Sequence, residues 1–450
     1  MTTKHRFVLI LIALFTVISL QALTQQDRQS QERIRGDLTQ RIPDRILSRN
    51  KGEETSDTRI YAEDHILVKF SPLLTSQHVQ ALTNAYGSQA SHRIPVVDLY
   101  RVQVPEDSTV EEMVEVWNQN SLVEYAKPDY IARVAVTPND LFFRDQYALS
   151  NTGQVVPGSP GGTPSSDISA TTAWEETTGT SGILIAVIDT GVDLTHPDLV
   201  NKMYSSGKDF VNGDDDATDD FWHGTAVAGI TAAESNNGIG IAGVAWNCMI
   251  LPVKCMDKNG EGSYSDVIEG ILWATDNGAH VINLSLGGPI DDPDLEEAVR
   301  YAFQRGVVVV ASSGNESGEV LYPAAYDNYV LAVASTDMDD MHVPESNFGP
   351  EIDVAAPGEA ILTTVPVWDV PPNYYPYSWT WGTSFAAPHV SGMAALILSA
   401  KPWMEVSDVM NVIRYTADDV NADEYPGRDD YLGYGRINLD TGLVPIPIKK

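Results

Sequence analysis

The sequence predicts an α/β protein with a mostly parallel central sheet and helices on both faces, preceded by a smaller α+β domain. Three observations carry this. Beyond residue 137, short apolar runs of strand length alternate with helix-length segments, as strands covered on both sides by crossover helices would. Before it, residues 58–134 alternate strand-like and helix-like stretches in a β-α-β-β-α-β-like order. Charge divides at the same place. Residues 1–137 hold 15 basic and 17 acidic residues (−2), and residues 138–450 hold 13 and 45 (−32), within a net charge of −34.

Composition narrows the function. At 43% hydrophobic and 20% charged residues the chain is globular. Its net charge would repel a polyanion, which excludes nucleic acid as a partner. Two cysteines are too few for a disulfide scaffold or a four-cysteine zinc site. Cys248 and Cys255 lie seven residues apart on one apolar strand, NCMILPVKC. That spacing separates their Cα atoms by ~23 Å, so two free thiols are expected. Cys255 beside Lys254 can be read as reactive or as a buried small hydrophobe, and the strand context favours burial.

The elements follow in order. Lys4, His5 and Arg6 precede the apolar run FVLILIALFTVISL (7–20), the layout of a secretory signal peptide over residues 1–24, with an uncleaved anchor as the alternative. A polar stretch over 25–57 reads as a flexible linker. Within 58–136, strands are predicted at 65–70, 96–104 and 123–134 and helices at 76–86 and 108–120, the latter opened by a Ser108/Glu111 capping box. This segment carries no catalytic cluster. In the next, 137–446, strands are predicted at 183–188, 249–255, 280–286, 307–313 and 329–335. Helices are predicted at 224–235, 264–277, 293–304, 384–399 and 405–415. Residues 447–450 form a short tail, with no appended domain expected.

In such sheets function collects at the carboxyl ends of strands, and three polar sequences stand there. IAVIDTGVD puts Asp189 at the end of a buried strand, where a carboxylate is costly unless paired. HGTAVAG opens a helix at His223 followed by small residues. GTSFAAPHVSG sets Ser384 in the first turn of an apolar helix, whose free N–H groups face any developing anion. Singly, each has a plainer reading: a cap, a packed surface histidine, an ordinary N-cap serine. Together they are the set for a hydroxyl nucleophile activated by a general base. The residues come in the order Asp189, His223, Ser384, with gaps of 34 and 161 residues, and that order resembles the triad of subtilisin.

Residues 137–445 accordingly resemble the subtilisin-like serine proteases. INLSLGG (282–288), ASSGN (311–315), EGSYSDVIEGILWA (261–274), FGPEIDVAAPG (348–358) and GYGRIN (433–438) resemble further blocks of that family, in its order. The resemblance implies that Asp189 orients His223, that His223 takes the Ser384 proton, and that Asn315 shares the oxyanion hole with the Ser384 N–H. It implies a cleft edged by Ser285-Leu286-Gly287 and Gly260-Glu261-Gly262, able to pair with an extended protein or peptide substrate. It further implies that 58–134 is an inhibitor-type propeptide, an intramolecular chaperone removed by self-cleavage near Val134 to Pro138. The product would be a secreted monomeric endopeptidase, extracellular or periplasmic, with no membrane contact once the signal is cleaved.

Calcium is the implied cofactor. A first site by resemblance comprises Asp140, Asp198, Asn237 and the carbonyls of Glu234, Ile239 and Ile241. The acidic run DFVNGDDDATDD offers a second, from Asp209, Asn212, Asp214, Asp216 and Thr218 at offsets 0, 3, 5, 7 and 9. A solvated acidic loop is its plainer reading. Trp222 stands where the family usually has a small residue and would crowd or cap the S2 side. Leu321 stands near the floor of S1, where a glycine is common, and His389 should be structural. Two rivals remain, an α/β-hydrolase esterase, which lacks its G-x-S-x-G elbow here, and a catalytically dead binding protein.

Overall fold

The computed structural model describes residues 61–105, 108–130, 136–157, 159–371 and 374–443, and these divide into two compact units. The predicted signal peptide, linker and tail lie outside the described residues, as do 131–135.

The first unit runs β1 (Tyr61–Phe70), α1 (Ser76–Ala85), β2 (Ala90–Ile94), β3 (Leu99–Gln103), α2 (Val110–Asn118) and β4 (Val123–Tyr130). The strands form an antiparallel sheet in the order β2-β3-β1-β4. Alternate strand residues Ile66, Val68, Tyr100 and Val102 face the helices, where Val79, Met113 and Trp117 complete the core. Trp117 meets Phe70 edge-on at 5.6 Å. The capping box of α2 sits one residue later than expected: Thr109 accepts from Glu112 N, and the Glu112 side chain accepts from Thr109 N. Two overlapping S/T-x-x-E pairs occur there, and the helix begins where Val110 can enter the core.

The second unit is built on a seven-stranded sheet, β11-β10-β9-β8-β5-β7-β6, with every pairing parallel. The strands are β5 (Leu184–Asp189), β6 (Lys208–Asp209), β7 (Met249–Lys254), β8 (Val281–Leu284), β9 (Val308–Ser312), β10 (Val330–Thr336) and β11 (Val354–Pro357). An antiparallel hairpin, β12 (Ile361–Thr364) and β13 (Tyr377–Thr380), lies beside it. After the short α3 (Ala170–Ala173), the main helices are α4 (His223–Ala232), α5 (Tyr264–Asp276), α6 (Pro293–Gln304), α7 (Thr383–Ala400) and α8 (Val406–Tyr415), and α9 (Leu439–Leu443) closes the unit.

Burial on both faces explains the unbroken apolar strands. Along β5, Ile185 and Val187 join the core made with α4, α7 and α8, while Ala186 and Ile188 join the core made with α5 and α6. Strand β5 lies between β8 and β7, so successive connections leave it in opposite directions. This is the switch point where a crevice opens at the strand ends. Cys248 and Cys255 are buried and unbridged.

Candidate active site

Asp189 ends β5 at that switch point and is almost fully buried. Its Oδ1 accepts from Thr190 N at 2.7 Å and lies 2.8 Å from His223 Nδ1. Opposite it in register on β7 stands buried Lys254, whose ammonium donates to the carbonyls of Thr190 and Met256 and pairs with Asp220 at 2.5 Å. That ammonium ties the turn behind Asp189 to the neighbouring strand.

His223 is the first residue of α4. Gly224 lets the helix approach the β5 turn: a Cβ there would lie 2.1 Å from Gly191 O and 3.0 Å from Asp189 Cβ. Gly224 N donates to Thr190 Oγ1, and Thr190 Oγ1 donates to Asp219 Oδ1. Asp219, also buried, accepts from the N–H groups of Phe221, Trp222 and Thr225 and from Thr225 Oγ1. Sequence reasoning absorbed Asp219 into the acidic run. Its signal was an aspartate six residues ahead of a threonine at the third position of a helix that has no N-cap side chain of its own.

With Nδ1 facing a carboxylate, the neutral imidazole holds its proton there and presents the Nε2 lone pair. Burial alone would lower the His223 pKa, but the charge and hydrogen bond of Asp189, helped by Asp219, outweigh it and raise the value above 6.5.

Ser384 is the second residue of α7. Its Oγ donates to Ser285 O at 3.1 Å, and Ser285 Oγ donates to Ser384 O at 2.7 Å, so the end of β8 and the start of α7 clamp each other. Asn283 and Ser391 extend the clamp into the core. No hydrogen bond joins Ser384 to His223 among the described residues. Catalytic bonds are often loose without substrate, and the Ser384 hydroxyl is here turned to Ser285 O. Asn315 follows β9, and its Oδ1 accepts from Thr383 N at 2.8 Å and Thr383 Oγ1 at 3.1 Å. The amide oxygen is thereby used, and the NH2 end is left to donate beside the start of α7.

Leu286 and Gly287 leave the end of β8 with Gly287 exposed, while Gly288 pairs with Tyr322. Gly260, Glu261 and Gly262 form the turn after β7, held by bonds between Asp257 and both Gly260 N and Glu261 N. Between the two stretches opens a small pocket of about 40 Å³ lined by Met256, Tyr264, Val267, Leu286, Leu295 and Tyr322, among others. Leu321 lies against both Gly287 and Gly314, where a Cβ would come within 3.0 and 2.9 Å of it. His389 is buried in α7 and donates from Nδ1 to Phe385 O; burial pushes its pKa down to about 4.

The two sets of predicted calcium ligands differ. In the first, Asp140 Oδ2 accepts from Asn236 N, and Asp198 accepts from Ile241 N, Asn237 Nδ2 and Tyr377 OH. Burial pushes Asp198 up to about 6 and also raises Asp140. Gly240 closes the loop over them: a Cβ would lie 1.8 Å from Asp198 Oδ2. The carbonyls of Glu234, Ile239 and Ile241 accept no hydrogen bond among the described residues. Two buried carboxylates bonded to the loop that carries these unpaired carbonyls suit a hard cation. In the second set only Asp209 is buried. Asp209, Asp214 and Asp216 each accept from groups inside the loop, Asn212, Asp216 N and Thr218 respectively.

Comparison with known proteins gives the same picture. Residues 180–435 match the subtilase family, peptidase S8, and residues 48–129 match the fervidolysin N-terminal prodomain. A thermophilic serine proteinase of Bacillus sp. is 40% identical over 382 residues, 84% of this chain and 86% of that protein. Thermitase of Thermoactinomyces vulgaris is 42% identical over 60% of this chain and 91% of its own. Among solved structures, a protease from Pseudoalteromonas arctica superimposes with a TM-score of 0.59 at 31% identity, covering 68% of this chain and 99% of that one. The chain belongs to the subtilase family: it is a subtilisin-like serine endopeptidase preceded by a fervidolysin-like prodomain.

Proposed function

We propose that the chain is a secreted pre-pro-protein whose mature part, from about residue 137, cleaves internal peptide bonds with Ser384 as nucleophile. The observation that supports this best is the 2.8 Å contact of Asp189 with His223 Nδ1 in one crevice with Ser384 and the oriented amide of Asn315. The extracellular setting is supported by the apolar N-terminal run and by a relative named as an extracellular serine protease, 33% identical over 86% of this chain, from Natrialba magadii.

The chemistry follows from the groups present. Ser384 Oγ attacks the scissile carbonyl as its proton passes to His223 Nε2. Asp189 holds the imidazole in the required tautomer and stabilises the imidazolium. The carbonyl oxygen takes the negative charge and accepts from Asn315 Nδ2 and the Ser384 N–H. His223 then protonates the leaving amine, and water repeats the sequence on the acyl-enzyme. The substrate strand lies between the Ser285–Gly287 and Gly260–Gly262 edges.

Calcium is proposed at the first site alone, held by Asp140, Asp198, Asn237 and the carbonyls of Glu234, Ile239 and Ile241. Bound there, it would tie the 234–241 loop to the start of the mature chain and neutralise two buried carboxylates. The acidic loop satisfies its carboxylates internally and reads as a solvated surface. The prodomain is proposed as chaperone and inhibitor of this same chain, removed by the enzyme itself. Ser384→Ala tests the whole reading: it should abolish casein hydrolysis and leave the precursor joined near residue 137. Self-maturation with retained hydrolysis would overturn it.

A further inference from the structure

Trp222 holds a backbone conformation, φ 131° and ψ −27°, that glycine adopts freely and other residues rarely enter. Such strain persists where surrounding structure enforces it, and here the N–H is held by Asp219. What the conformation achieves is ring placement. The indole stands edge-on to the His223 ring at 5.7 Å and stacks on Phe385 at 6.2 Å, with the planes 18° apart. Phe385 reaches His223 at 5.3 Å. The residue before the general base and the residue after the nucleophile thus form one aromatic surface, with Phe385 buried and Trp222 half-buried.

The direction of that surface follows from its surroundings. The acyl half of a substrate lies between the Ser285–Gly287 and Gly260–Gly262 edges, and the ring that leans on this half is Phe221, 2.9 Å from where a Gly260 Cβ would stand. Trp222 does not line the pocket between those edges. It packs instead with Phe385 against the cluster of Tyr147, Ala226, Ile230 and Ile361. His223 spends Nδ1 on Asp189, so the leaving amine collects its proton at Nε2, and the rings packed on this imidazole are those of Trp222 and Phe385.

We propose that the Trp222 ring, backed by Phe385, is the contact surface for the first side chain beyond the scissile bond and selects aromatic or large apolar residues there. This rests on the Ser384 hydrolase reading. The same surface governs acyl transfer to an added amine. There the amine nitrogen attacks the acyl-enzyme carbonyl, the C–N bond forms as the Oγ–C bond breaks, and the amine proton passes through His223 Nε2 to Ser384 Oγ.

The test uses matured enzyme, one portion of which is titrated at Ser384 with a serine-directed reagent to count active sites, so failure of the hydrolase reading shows separately. Quenched peptides differing only in that first residue give the phenylalanine-to-glycine ratio of kcat/KM. Partition of one acyl-enzyme between phenylalanine amide and glycine amide gives the same discrimination without the acyl half. In the native enzyme both ratios should be about tenfold. Trp222→Gly should bring both close to one while raising the unfolding midpoint, and Trp222→Phe should keep most of each ratio. Equal ratios in native enzyme and Trp222→Gly, whatever the absolute rates, would overturn the proposal. So would a loss that is uniform across leaving groups, which would make the indole a prop for His223 alone.

Discussion

At the scale of single residues, the roles divide by what each side chain has left to offer. Asn315 accepts from Thr383 through its amide oxygen and keeps its NH2 to donate, so truncation to alanine should remove one oxyanion donor together with the bonds to the start of α7. The expected loss is on the order of 100-fold to 1,000-fold in kcat, about 3 kcal/mol, with KM nearly unchanged; a loss confined to KM would assign Asn315 to substrate binding. Asp189 carries a pH signature. Hydrolysis needs neutral His223, so the acid limb of kcat/KM should lie above 6.5, where the Asp189 charge holds the imidazolium. In Asp189→Asn that charge is gone and burial dominates, so the limb should move to lower pH while kcat falls by about 10⁴. A limb that stayed in place would detach Asp189 from His223. The triad was legible because polar residues at the ends of apolar strands are few. Asp219 was not, since a buried aspartate in a mostly exposed acidic run differs from its neighbours only in its tertiary partners. The Ser384 rotamer, turned toward Ser285 O, has no sequence signal at all.

Elements carry these residues to one place. β5 and α4 meet through Gly191 and Gly224, and β8 meets α7 through Ser285 and Ser384. Long apolar strands and helices were read close to their observed bounds because burial on both faces leaves an unbroken apolar run. The short edge strands β6 and β11 and the β12–β13 hairpin escaped, the latter because prolines and tyrosines obscure a two-residue period between Ile361 and Thr380. Strand β2 was missed because its residues, Ala90–Ile94, are mostly exposed. The loop over Asp198 is the element proposed to hold a cation. With calcium a thousandfold above its Kd, binding contributes about 4 kcal/mol. Chelation should then lower the unfolding midpoint by on the order of 10 °C in a domain of this size. Asp198→Asn should largely abolish that dependence, and a midpoint indifferent to chelator would remove the site.

For the whole molecule, charge divides at residue 137 between a nearly neutral first segment, residues 1–137, and a following domain of −32. Of those carboxylates, Asp189 bonds the imidazole, Asp219 the loop before it, and Asp140 and Asp198 the 234–241 loop proposed to hold a cation. The rest lie largely on the surface and keep the mature chain soluble. Fold class and family were legible because the blocks stand in order along most of the chain. The selectivity proposed for the cleft was not, because it would depend on the ring of Trp222, placed by a backbone conformation no sequence pattern announces. The central claim is that one serine carries the chemistry, and covalent labelling tests it most directly. Matured protein treated with a serine-directed sulfonyl fluoride should gain one adduct per chain, located on Ser384 by peptide mass spectrometry, with proteolysis lost in proportion to labelling. Proteolysis that survives full modification of Ser384, or is lost with the adduct on another residue, would contradict the account.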